Sequence, residues 1–175
     1  MNLFKHKNQF NDFDLGMIYF NGLGVEKDYK KAAQYFAKAA RKGHAQAQLN
    51  LALMYQRGLG VEQNFHKAIE NLELSSSQGN ADATHNLGIL YYYGKGVELD
   101  YKKAAQYFEK AAELGQAEAQ FTLGYMYLVG QGMEKDYIRA AYYFEKAAKQ
   151  GHSDAKDNLE YIREQLFVED DSPKM

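Results

Sequence analysis

The chain has 175 residues, a formal net charge of -2 and no cysteine, which excludes disulfides, thiolate-bound metal and a thiol nucleophile. A pI near 6.2 argues against nucleic-acid binding, because an array that grips phosphates presents a basic stripe. The N-terminal stretch lacks the apolar run of a secretory signal and no segment approaches the ~20 apolar residues of a membrane span, so the expected location is the cytoplasm, or the periplasm or exterior if an export signal has been removed.

A 36-residue period organises the chain. Gly43, Gly79, Gly115 and Gly151 share one slot, and Leu15, Leu51, Leu87, Leu123 and Leu159 share another. Such a period marks a stacked array in which each unit covers its neighbour's apolar face. The predicted copies occupy residues 8–43, 44–79, 80–115 and 116–151. A capping helix at 152–167 completes a single domain, 1–167, and residues 168–175 read as an acidic, disordered tail.

Each copy reads as two helices divided by a Gly-x-Gly turn. In the first copy Asn11 stands where later copies carry alanine, which suits a cap or a frayed start. Asp28 precedes the second helix, as Asn64, Asp100 and Asp136 do further on, and such side chains accept from the free N–H groups of a helix start. The second helix then lines up Ala32, Phe36, Ala39 and Ala40, a stripe repeated by Ala104, Phe108, Ala111 and Ala112. The closing glycine fits the left-handed residue that ends a helix. In the second copy Ala47, Leu51 and Tyr55 form the stripe of the first helix. Its second helix has Asn71 in place of tyrosine and Ser75-Ser76-Ser77 in place of the alanine pair, so it is expected to be the least stable. Gly16, Gly88 and Gly124 fall mid-helix, with Ala52 in the second copy. Glycine costs roughly 1 kcal/mol there against alanine, so this slot demands a close approach of two helices. In the final helix Glu160 and Arg163 replace the small residue and the tyrosine, as suits an end with one wet face.

The pattern A-x3-LG-x2-Y-x2-G-x-G-V, followed by D-Y-x-x-A and F-x-K-A-A-x-x-G, resembles the Sel1-like repeat family, a relative of the tetratricopeptide repeat, over roughly residues 8–167. The resemblance implies an all-α fold: a right-handed α/α solenoid of about four helix-turn-helix repeats plus the capping helix, with the first helices lining the concave side. It also implies an adaptor or scaffold role.

No constellation points to catalysis, and neither cofactor nor metal is expected. The turns NGLGVEKD, RGLGVEQN, YGKGVELD and VGQGMEKD have helices on both sides, whereas a phosphate loop follows a strand. The histidines His6, His44, His66, His85 and His152 show no helical ligand spacing; His44 and His152 share a slot that reads as solvated. No Gly-x-Ser-x-Gly elbow occurs.

The candidate site is the other face of the first helices. One column there, Met17, Leu53, Ile89, Tyr125 and Tyr161, is apolar at every step, and a second contains Phe13, Leu49, His85 and Phe121. If exposed, these columns form an apolar furrow; the alternative is that the first packs between neighbouring helices, while Phe13 and Phe121 are expected in solvent. Asn50, Asn86 and Asn158 form a third column able to hold a peptide backbone, and Tyr93 closes the face. Asp82, Glu118 and Asp154 make the rim acidic, which favours a partner with basic and apolar side chains. The expected function is a non-enzymatic scaffold or adaptor that binds a protein or peptide, with no nucleic acid or membrane involved. The alternative is an inhibitor or immunity protein that wraps one toxin or enzyme.

Overall fold

The computed structural model describes residues 10–170, and among them it contains nine helices and no strand. They group into two compact units, one ending at Leu87 and the other starting at Gly88. The first contains α1 (Asp12–Asn21), α2 (Tyr29–Arg41), α3 (Ala45–Arg57), α4 (Phe65–Ser77) and the start of α5 (Ala81–Tyr93). The second contains the rest of α5, α6 (Tyr101–Glu113), α7 (Ala117–Val129), α8 (Tyr137–Lys149) and α9 (Ser153–Asp170). Within each unit, consecutive helices pack as antiparallel hairpins, α1 on α2 and α3 on α4 in the first, α7 on α8 in the second.

The helix starts are where the sequence places them. Asn11 caps α1 by accepting from the Asp14 N–H at 2.9 Å. Asp28, Asn64, Asp100 and Asp136 each accept at 2.9 Å from the backbone N–H three residues on. Their own N–H groups donate back to the carbonyls of Tyr19, Tyr55, Tyr91 and Tyr127 at 2.9–3.0 Å. One residue thereby starts the second helix and ties it to the first. The second glycine of the turn has a separate task. A Cβ on Gly60 would lie 2.2 Å from the Tyr29 carbonyl carbon, and one on Gly132 would lie 2.6 Å from that of Tyr101. At these two positions the turn therefore abuts the second helix of the preceding copy.

The hairpin seam pairs a small residue with a large one. A Cβ on Gly16 would lie 2.5 Å from the Phe36 ring, one on Gly88 2.6 Å from Phe108, and one on Gly124 2.9 Å from Phe144. The second copy, which carries Ala52, has Leu72 at the phenylalanine slot, and both are fully buried. A methyl is thus admitted where the facing ring is replaced by a smaller side chain.

A second exchange runs along the buried polar groups. Gln48 and Gln120 donate to the carbonyls of Ala40 and Ala112 at 3.2 and 3.1 Å. Their side-chain oxygens accept from Gln78 and Gln150 at 2.7 and 2.8 Å. Where the alanine becomes Ser76, the glutamine slot becomes Thr84, and the two hydroxyls share a bond of 2.7 Å. Ser75 donates to the Ala45 carbonyl at 2.8 Å. The serines of α4 are therefore satisfied, which lowers the cost of burying them. The same helix lacks a tyrosine stack: Tyr19–Tyr35, Tyr91–Tyr107 and Tyr127–Tyr143 lie 5.5–5.8 Å apart, but Asn71 instead donates to the Lys67 carbonyl.

The final helix is longer than predicted. Residues 168–170, assigned to the tail, continue α9, because no glycine or proline interrupts the helix before Pro173. Residues 8 and 9 and the rest of the tail, 171–175, lie outside the described residues.

The seam generates a compensation test. Gly88→Ala is expected to destabilise the wild-type chain, because overpacking of about 1–3 kcal/mol exceeds a helix-propensity gain of about 1 kcal/mol. In a Phe108→Leu background, which copies the second repeat, the same change should stabilise by about 1 kcal/mol. Chemical denaturation of the four variants checks the reversal of sign.

Candidate partner-binding site

In the column containing Phe13 and Phe121, both rings are half-buried against the seam. Their rings lie 5.9 and 5.5 Å from Phe36 and Phe144, and their other faces are covered by the imidazoles of His44 and His152, stacked at 4.4 and 4.1 Å. At the same slot Leu49 is 3% exposed and His85 8%. The expectation that Phe13, Leu49, His85 and Phe121 line an open furrow is corrected: Leu49 and His85 are buried, and Phe13 and Phe121 are half-buried against the second helix of their own hairpin. Of the two histidines expected in solvent, His44 is exposed, whereas His152 is half-buried and the expectation is corrected there. His44 accepts from the Ala47 N–H at 3.2 Å and so caps α3, and the His152 Nε2 lies 3.3 Å from the Glu118 carboxylate. A signal was present in the sequence. Phenylalanine at 13 and 121 is answered by histidine 31 residues later, whereas Leu49 is followed at that distance by Asn80 and His85 by Gln116.

The other apolar column is partly open. Met17, Leu53 and Ile89 are half-buried, Tyr125 and Tyr161 are exposed, and Tyr93 reaches 61% exposure. Asn86 and Asn158 turn their amide donors back to the Asp82 and Asp154 carbonyls at 2.7 and 2.8 Å. Asn50 differs, since its amide nitrogen donates to the Met17 sulfur at 3.5 Å while its oxygen accepts from Gln46 at 3.4 Å.

In the first unit these residues surround a cavity of about 270 Å³ between α1 and α3, lined by Met17, Phe20, Asn21, Asn50, Leu53, Met54, Arg57 and Leu59. Arg57 is its one charged lining residue. The corresponding slots in the second unit hold larger side chains, with Tyr92, Tyr93 and Tyr125 in place of Phe20, Asn21 and Leu53. There the Tyr92 hydroxyl donates to Gln131 at 2.8 Å, at the slot of Leu59. The cavity thus exists because Asn21 and Leu53 are smaller than their repeat equivalents. Phe20, Met54 and Leu59 were not singled out from the sequence, since they lie on the core side of the helical stripe or in the turn. Among the described residues no group of three histidine or carboxylate side chains is placed to hold a metal ion, and no helix is long and apolar enough to cross a membrane.

Hairpins built on one cassette and joined by recurring seams define a helical-repeat protein. The Sel1 repeat model matches residues 13–44, 45–80, 81–116 and 117–152. The chain belongs to the Sel1 repeat family, whose members are typically scaffolds for protein–protein interaction. It is similar to a Sel1 repeat protein from Oxalobacter formigenes, at 36% identity and a TM-score of 0.80 over 85% of this chain and 60% of that one. It is also similar to Helicobacter pylori cysteine-rich protein B, at 33% identity and a TM-score of 0.60 over 75% of this chain and 94% of that one. A third similar structure is c5321, a protective antigen present in uropathogenic Escherichia coli strains. The identity there is 31% and the TM-score 0.58, over 89% of this chain and 41% of that one. The chain therefore spans 60% and 41% of the length of the Oxalobacter and Escherichia proteins. No curated protein matches it significantly.

The cover over Phe13 gives a prediction. His44→Ala removes both cap and ring, whereas His44→Asn, which copies Asn80, restores the cap alone. The alanine variant should be less stable by about 1 kcal/mol in urea denaturation. Equal losses would show that the cap contributes nothing.

Proposed function

We propose that the chain is a non-enzymatic binding module that anchors a segment of a partner protein in the α1–α3 cavity of its first unit. The observation that carries this reading is an apolar cavity of about 270 Å³ with a single guanidinium at its edge. Sites of this composition take a large apolar side chain and fix its orientation with a few polar groups. The Asn50 amide supports the reading, because a thioether sulfur is a weak acceptor that a peptide carbonyl replaces without loss. Asn86 and Asn158, whose donors are already bonded to their own helices, are placed outside the contact.

Charge shifts the partner chemistry away from the basic segment expected from the sequence. Arg57 favours an aspartate or glutamate next to the apolar anchor. The acidic rim is partly engaged within the chain, since Glu118 faces His152 and Asp154 accepts from Ser153. A cysteine-free composition suits work in a reducing compartment.

The test is selection from a displayed peptide library. Wild type should enrich peptides carrying a large apolar residue beside an acidic one. Leu53→Tyr, which copies Tyr125 and fills the cavity, should weaken such a peptide at least about tenfold, equivalent to ~1.4 kcal/mol, and Arg57→Glu should do the same. Unchanged binding by a folded Leu53→Tyr protein would place the contact elsewhere.

A further inference from the structure

The four second helices differ most at slots that repeat packing leaves free. Lys30, His66 and Lys102 share one exposed slot, and its fourth member is Ile138, which is 76% exposed. Gln34, Glu70 and Gln106 share another, and its fourth member is Tyr142, which is 52% exposed. These positions are exposed in every copy, so stacking of repeats gives no reason for the change to apolar side chains. Their neighbour Ala141 is half-buried, whereas its equivalents Ala33, Ile69 and Ala105 are buried.

Ile138, Ala141 and Tyr142 on α8 meet Leu159 and Ile162 on α9 in a groove of about 430 Å³ that also carries Glu145 and Arg163. The two charges have opposite sign and sit on different helices, and the guanidinium helps hold the Glu145 carboxyl below the usual carboxylate range, after its nearer partner Lys149. Arg163 stands where α3, α5 and α7 place the tyrosine of the hairpin, and Glu160 where they place the small seam residue; both are exposed. The seam face of α9 is therefore polar, while the groove beside it is apolar.

We propose that this groove is a homodimer interface, in which a second copy of the chain docks its own α8 and α9. An apolar floor bordered by one acid and one base is self-complementary about a twofold axis: Glu145 of each copy meets Arg163 of the other, and Ile138 and Tyr142 leave water together. A partner of one charge sign would satisfy only half of the border. The existing Glu145–Lys149 pair, at 2.8 Å, is exposed at both ends and therefore weak, so exchanging it for Arg163 of the second copy is energetically easy. This surface is separate from the α1–α3 cavity, and its use does not depend on the peptide reading.

The experiment is light scattering behind size exclusion, with sedimentation equilibrium, on the full chain. Wild type should show a concentration-dependent dimer mass. Ile138→Lys combined with Tyr142→Gln, which restores the residue types of the other copies, should give a monomer with unchanged helical circular dichroism. Glu145→Arg should raise the dimer Kd at least about tenfold, Arg163→Glu should do likewise, and the combined charge swap should recover the wild-type value. A wild-type monomer at all concentrations, a dimer that survives the Ile138 and Tyr142 changes, or a charge swap without recovery would each overturn the proposal.

Discussion

The distance between the two helices of each hairpin is the constraint on which the rest depends, and it is set by one small residue lying flat against one large ring. Phe36, Phe108 and Phe144 are essentially without exposure, and each rests on the backbone of a mid-helix glycine. Burial of such a ring contributes about 1.5–3 kcal/mol, more than the ~1 kcal/mol that glycine costs the helix. Close approach also places the N–H of Asp28 and its equivalents within reach of a carbonyl on the first helix, so the turn length follows from the seam. The Ala52–Leu72 pair shows that the requirement is on summed volume rather than on residue identity. Gln48, Thr84 and Gln120 obey the same logic in hydrogen bonds: what changes on one helix is answered on the next.

Architecture was legible in the sequence because it is repeated. Slots 36 residues apart give several independent views of the same environment, so caps, turns and small-residue seams could be read without coordinates. The candidate site was less legible, because a helical stripe and its neighbour differ by a rotation of only about 100° per residue. Leu49 and His85 lie on the border of the stripe, and periodicity alone does not say whether a border position is covered by the next hairpin. Phe13 and Phe121 are covered by a residue from the following loop, which no single-helix pattern can anticipate. Residues in one slot must instead be compared against the slot that answers them, and His44 and His152 become readable only in that comparison.

Slots packed on both sides permit only exchanges that conserve volume and hydrogen bonds, so their variation is paired within the chain. An exposed slot carries no such condition, and variation there has no internal counterpart. Asn21 and Leu53 open space where Tyr93 and Tyr125 fill it, and Ile138 and Tyr142 bring apolar surface where the other copies keep charge or amide. Tyr142 packs against Tyr143 and Lys146 of its own helix, yet 52% of it stays exposed, and Ile138 stays 76% exposed. Exposing apolar side chains at slots that elsewhere interact with water lowers solubility without adding to the core. Exposed departures of this kind are the ones on which the two binding proposals rest, and in this chain they fall at the α1–α3 cavity and the α8–α9 groove.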